Sequence, residues 1–163
     1  MTSGHELDAP PWLRVESTIM ATARAIRQCY DQRFADLGLN LSEASLLAFV
    51  EESGPLTQTR LAQRLGLGRA ATGSVIDSLE KRGLVERQPD PDDRRVWLVT
   101  VTRTGKDLVE QVNASDQVLR SELRAGISRA DRQQLAALLV RLQENLAAAL
   151  DDGRSSTGGA TGP

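Results

Sequence analysis

Apolar residues recur along this chain at steps of three and four, and the breaks in that rhythm fall at glycines, prolines and capping residues. From Trp12 to about Leu37, the series Ile19, Ala23, Ile26, Tyr30, Phe34 and Leu37 lays a stripe along one face of a long helix, which Gly38 stops. Ser42 is predicted to cap a second helix, with Glu43 near its positive end and Leu46, Leu47, Phe49 and Val50 on its buried side; Gly54 and Pro55 end it. Thr57 caps a short third helix whose buried positions are Leu61, Ala62 and Leu65. A glycine-bearing turn, Gly66 to Gly68, leads into a fourth helix at Arg69. There Ala71, Val75, Ile76 and Leu79 form the apolar face, while Arg69, Ala70, Gly73, Ser74 and Asp77 look elsewhere. Gly83 ends that helix at its C′ position.

The period then shortens. Leu84 to Arg87 and the β-branched run Val96 to Val101 read as two strands joined by a turn rich in proline, aspartate and arginine. Thr102 caps a fifth helix with apolar positions at Leu108, Val112, Leu119 and Leu123, closed by Gly126. Ser128, three residues before Asp131, opens a sixth helix carrying Leu135, Leu138, Leu139, Leu142, Leu146 and Leu150. Residues 1–11 hold Gly4, Pro10 and Pro11 without an apolar period, so they are expected to be a flexible leader. Residues 151–163, small and polar, are expected to be a disordered tail. The fold class expected is mainly α with a small β-hairpin. It is one domain over 12–150, with no internal repeat.

Composition removes several function classes. The 163 residues carry a net charge of −2, with 40% apolar residues and only 3% aromatic ones, within the range of one globular domain. No apolar stretch approaches the roughly 18–20 residues that a membrane span needs, and the amino terminus lacks a basic segment followed by an apolar one. The expected location is therefore the cytoplasm. A lone cysteine, Cys29, forms no internal disulfide, and with His5 as the one histidine neither a metal site nor a metal cofactor is expected. No nucleophile stands paired with a base, so catalysis is not expected either.

Charge is unevenly spread. Residues 55–106 hold ten basic residues against six acids, whereas residues 1–53 and 107–163 are net −4 and −2. A basic middle in an acidic chain suits a protein that offers only one face to a polyanion. That middle is helix, tight turn, helix, strand, basic turn, strand: a winged helix-turn-helix over residues 42–101. It gives the paired arginines at the hairpin tip a purpose, because arginine at such a tip can enter a narrow minor groove where negative potential is concentrated.

The run LTQTRLAQRLGLGRAATGSVIDSLEKRGLVERQPDPDDRRVWLVTVTRTG, residues 56–105, and the six-helix order around it resemble the MarR-type (multiple antibiotic resistance) regulators. The resemblance implies a cytoplasmic homodimer that binds a pseudopalindromic duplex DNA operator as a repressor, released by a small anionic or phenolic ligand or by an oxidant. It also implies dimerisation through helices 12–37 and 103–150, and a ligand pocket between those helices and the DNA-binding part. Measured back from Thr102 and Gly105, the family's wing aspartate and arginine fall on Asp93 and Arg95, with Arg94 between them as a phosphate contact. The expected DNA-binding set is Thr57, Thr59, Arg69, Thr72, Ser74, Arg94 and Arg95, with Asp93 orienting the wing. Many relatives carry a serine cap and an internal Thr-Arg or Ser-Arg pair on the recognition helix; here those positions are Gly68, Gly73 and Ser74. Glycine inside a helix costs about 1 kcal/mol relative to alanine, and close backbone approach to DNA or a packing role would compensate.

Gly66-Leu67-Gly68-Arg69-Ala70-Ala71 fits the dinucleotide-binding spacing, but that motif needs a preceding strand, and here a helix precedes it. Cys29 as an oxidant sensor is set against its place on or beside the buried stripe of the first helix, which favours a buried spectator. Trp97 is expected to pack the wing onto the domain, and Trp12 to line a ligand pocket or cover a dimer interface. A winged-helix protein-interaction module remains the alternative from a different class, distinguished by weak salt dependence.

Overall fold

The computed structural model describes Pro10 and residues 14–156, the last five by backbone alone. His5, Trp12, the rest of the leader and residues 157–163 lie outside the described residues. The element order is α1 (Val15–Ala35), α2 (Leu41–Ser53), β1 (Leu56–Thr57), α3 (Gln58–Leu65), α4 (Arg69–Lys81), β2 (Val85–Pro89), β3 (Trp97–Val101), α5 (Arg103–Leu123) and α6 (Arg129–Ser156). This is the expected six-helix winged helix, with one strand more than expected. The chain divides into two compact units, one ending at Arg120 and the other starting at Ser121.

In the first unit, α1 contributes to the core mainly through its last turns. Phe34 is buried and Tyr30 partly buried, their rings 5.6 Å apart, whereas Ile26 is exposed in the single chain. Gly38, at φ +66°, ends the helix where a left-handed residue is needed, and the Leu39 N–H returns to the Phe34 carbonyl. The cap of α2 is Asn40 rather than Ser42. Asn40 Oδ1 accepts the Glu43 N–H at 3.0 Å and Glu43 Oε2 accepts the Asn40 N–H at 3.1 Å. Glu43 three residues on closes this box from Asn40, which makes Ser42 an interior residue. The other Glu43 oxygen accepts the Ser78 hydroxyl at 2.8 Å, tying the start of α2 to α4.

The core gathers Leu46, Leu47 and Val50 of α2, Leu61 of α3, Ile76 and Leu79 of α4, Val85 and Val99 of the sheet, and Val109 and Val112 of α5. The extra strand, β1, pairs Leu56 with Val99 and Thr57 with Leu98, so β3 lies between β1 and β2 in an antiparallel sheet. Two residues carry no readable alternation, which is why this strand left no mark in the apolar pattern. The predicted hairpin forms with Val85 opposite Val101 and Pro89 opposite Trp97.

The Thr102-x-x-Gly105 spacing has a packing cause. Thr102 Oγ1 accepts the Gly105 N–H at 3.1 Å as the cap of α5, and the same hydroxyl donates to the Gly83 carbonyl at 2.7 Å. The first turn of α5 thereby rests against the end of the Gly83 turn. A Cβ at Gly105 would lie 2.1 Å from the Leu84 carbonyl oxygen and 2.6 Å from Val101 Cγ1, closer than atoms can pack.

In the second unit, Ser128 and Asp131 form the predicted capping box: Asp131 N–H donates to Ser128 Oγ at 3.1 Å, and Ser128 N–H to Asp131 Oδ2 at 3.3 Å. Helix α6 then runs to Ser156, into the segment expected to be disordered. Its Leu135, Leu138, Val140, Leu146 and Leu150 are each more than half exposed in the single chain.

Replacement of Gly105 by alanine is expected to destabilise the protein by roughly 2–3 kcal/mol, the upper range for overpacking a tight site. Urea unfolding checks this; an unchanged midpoint would show that the α5–β2 junction yields more easily than its contacts allow.

Candidate nucleic-acid interface

The turn between α3 and α4 places Gly66 at φ +62°, and α4 starts at Arg69 after a Gly68 cap that offers no side chain. Of the seven residues expected to bind DNA, Thr72 is the one turned inward. It is fully buried, and its hydroxyl donates to the Gly68 carbonyl at 3.0 Å. That internal bond satisfies the hydroxyl and lets threonine occupy a core position. The buried stripe of α4 is accordingly Thr72, Ile76 and Leu79 with Val75 half-buried, and Ala71, expected inside, is exposed. Thr72 is thus a packing residue whose side chain is not presented to a groove.

Arg69, Ala70, Ser74 and Asp77 stand exposed on α4. The Ser74 hydroxyl donates to the Ala70 carbonyl at 3.2 Å, one turn back. Gly73 has only the Gln58 side chain near it, at 3.1 Å from where a Cβ would lie, and Gln58 Nε2 donates to the Arg69 carbonyl at 2.9 Å. No backbone of the protein crowds this glycine. On α3, Thr59 is exposed, while Thr57 is half-buried and its hydroxyl accepts the Arg60 N–H as the helix cap.

The wing turn is held by backbone bonds from Asp90 N–H to the Val96 carbonyl and from Val96 N–H to the Asp93 carbonyl, each 2.8 Å. At its tip Asp93 accepts three hydrogen bonds from one residue: the Arg95 N–H at 3.1 Å, Nε at 3.0 Å and Nη2 at 3.1 Å. The bidentate Arg95 guanidinium holds the Asp93 carboxyl below the usual carboxylate range, and the same bond raises Arg95. The Arg95 side chain remains 90% exposed, so this is an oriented cation in open solvent. Arg94 beside it is exposed as well.

A residue that the sequence reading passed over joins wing to helix. Arg87 of β2 donates to Asp77 Oδ1 at 2.5 Å and pairs with Glu80, while its backbone N–H donates to Glu80 Oε1 at 3.0 Å. Burial pushes its guanidinium down, but the Asp77 hydrogen bond and the Glu80 charge outweigh this, so the net shift is upward. Strand alternation carried the signal: Arg87 is two residues from buried Val85 and so shares its inward face, where a charge needs a partner.

A cleft of about 660 Å³ opens between α1, α2 and α5 within the first unit. Tyr30, Phe34 and Phe49 give it aromatic walls. At its edge the Tyr30 hydroxyl donates to Asp116 Oδ1 at 2.8 Å, and Arg120 Nε donates to the same oxygen at 3.0 Å. Burial, followed by the Asp116 bond and charge, pushes the Tyr30 phenol up. Cys29, expected to be buried, is exposed, because α1 is covered mainly near its C-terminal end. Among the described residues no three His, Cys, Asp or Glu side chains are grouped to hold a metal, and no helix is long and apolar enough to cross a membrane. Trp97, expected to pack the wing down, is 56% exposed.

A description of the MarR family matches residues 37–96. A probable transcriptional regulator from Pseudomonas aeruginosa, solved as a crystal structure, is 30% identical, with 79% of this chain and 99% of that one covered at a TM-score of 0.67. CouR from Rhodococcus jostii RHA1, solved bound to p-coumaroyl-CoA, is 25% identical over 77% of this chain and 88% of its own, at 0.72. MepR of S. aureus, solved as a DNA complex, is 19% identical over 84% and 99%, at 0.76, a likeness of fold.

Because the Arg87 pairs are partly open to water, removing them in Arg87→Ala is expected to lower stability by only about 1 kcal/mol. The wing is expected to loosen more than the whole: amide hydrogen exchange across β2 and β3 accelerates while α2 stays protected. Wing amides as slow as in the wild type would show that Arg87 does not hold the hairpin.

Proposed function

Since the chain belongs to the MarR family of transcriptional regulators, we propose that it regulates transcription as a ligand-responsive repressor, a homodimer bound to a pseudopalindromic duplex operator. The observation that carries this reading is the wing tip, where Asp93 fixes an exposed arginine in one orientation. A guanidinium preset in this way loses little freedom on entering a narrow groove, and phosphate oxygens can share its remaining donors. Arg69 and Ser74 would border base edges from α4, Thr59 and Arg94 would contact phosphate, and Thr57 would contribute mainly by capping α3. At Gly73 the Gln58 side chain would have to move before the DNA backbone could come close to the helix.

The division of labour proposed is a winged helix-turn-helix over residues 42–101, with 12–37 and 103–150 forming the dimer. The half-exposed leucines of α6 support it, since such apolar surface is commonly covered by a partner. Dimerisation would set two recognition helices about 34 Å apart, one turn of duplex. The cleft between α1, α2 and α5 would take the effector. Its aromatic rings suit a flat organic body, and Asp116 with Arg120 provides an acceptor and a donor for a phenolic or anionic group. A ligand there would weaken DNA binding only by favouring one spacing of the recognition helices. The regulator would work in the cytoplasm without catalysing a reaction.

Arg95→Ala is expected to leave dimerisation and melting unchanged. Its affinity for a duplex recovered by the wild-type protein from a randomised library should fall at least about tenfold, and the slope of log K against log salt should drop by about one. Fluorescence anisotropy over a salt series measures both. Equal binding by variant and wild type would remove the wing from the interface.

A further inference from the structure

Trp97 is left in water where the fold does not require it. Alternation along β3 puts it on the same face as buried Val99, and that face is turned towards α4, because Arg87, directly across from Val99, reaches Asp77 and Glu80. The helical layer covers the sheet out to the Arg87–Val99 pair. One step further towards the tip, the Pro89–Trp97 pair continues the apolar face and both residues are exposed. The indole therefore stands between the exposed side of α4 and the oriented Arg95, two residues away.

We propose that Trp97 is a DNA-contact residue. Its ring rests on the deoxyribose edge of the strand that runs between the groove met by α4 and the groove met by Arg95, and its Nε1–H donates to a phosphate oxygen. This rests on the DNA-binding reading above and adds a contact to it. A flat apolar face with one N–H at its rim matches a sugar bordered by phosphate, and it contributes register without reading sequence. The occupant is a duplex rather than a protein on grounds of size and continuity. One indole beside one proline is far smaller than the roughly 800 Å² per partner of a stable protein interface, and the patch runs directly into the arginine tip.

The test uses full-length protein and the library-derived duplex. In a Trp12→Phe background, Trp97 is the sole tryptophan; its emission should shift on adding duplex, and it should become shielded from acrylamide. Trp97→Ala should weaken binding about tenfold, as expected for a well-placed aromatic anchor, while the salt slope stays the same because no charge is lost. Trp97→Phe, which keeps an aromatic face and loses the N–H donor, should bind between the wild type and Trp97→Ala. Emission and quenching unchanged by bound duplex would overturn the proposal, whatever the variants do. Shielding that grows with protein concentration in the absence of DNA would also overturn it, by assigning the ring to a second copy. If Arg95→Ala weakens binding and Trp97→Ala does not, the Trp97 contact alone fails; if the wild type retains no duplex, both readings fail.

Discussion

Arg87 stands between two carboxylates of α4, the helix proposed to face DNA. Left alone, Asp77 and Glu80 would repel phosphate from the same face that Arg69 offers to it, and the hairpin would pivot about the end of β2. One guanidinium answers both problems, since its two arms take the two acids and its backbone N–H binds one of them again. α4 and β2 are thereby joined through one side chain. Little net stability is needed for this, because the partners are partly solvated and such pairs contribute modestly. What the arrangement supplies is a tie between α4 and the hairpin, and the proposed two-groove contact would depend on it.

The junction at the other end of the hairpin works by exclusion of volume. Thr102 caps α5 and bonds to the Gly83 carbonyl with the same hydroxyl, and Gly105 lets the helix settle against the Leu84 carbonyl. The wing is therefore held at its base by α5 and at Arg87 by α4. α5 also walls the cleft through Val109, Val112, Asn113 and Asp116. A displacement of α5 caused by something in that cleft would reach the base of the wing through contacts only two turns away, with the packed Gly105 junction as a stiff link.

The helices were legible in the sequence because their apolar residues recur at steps of three and four and most are bounded by a glycine or a capping side chain. The features that escaped are local competitions. Asn40 displaced Ser42 as a cap because Glu43 lies at the right spacing from it to close a box. β1 is too short to show alternation. Thr72 looked like a groove residue because it is polar, yet a hydroxyl that bonds its own i−4 carbonyl can be buried as a small apolar group would be. Trp97 and Cys29 misled in the opposite direction: aromatic and sulfur side chains are usually buried, and only the extent of the neighbouring layers decides whether a given strand end or helix face is covered. Of the proposed DNA contacts, the wing pair was readable from its spacing to Thr102 and Gly105. The Arg87 tie to Asp77 and Glu80 is not legible in the same way, since a single arginine in a charged stretch looks like solvated surface until strand parity is applied.

The charge pattern also looks different once partners are known. The basic middle segment holds ten basic residues and six acids, but three of those acids, Asp77, Glu80 and Asp93, are each engaged by an arginine of the same segment. Internal pairing has a distinct consequence at each place. At Arg87 the one cation is shared by two acids of α4 and offsets part of their charge. At Arg95 the pairing leaves the guanidinium exposed, and its hydrogen bonds hold the Asp93 carboxyl below the usual carboxylate range. A bare arginine would pair with phosphates in many geometries, whereas this one offers its outward donors in a single direction. In the proposed complex such a wing would give up part of its long-range attraction in exchange for orientation, which would favour fitting a particular groove over adhering to any duplex.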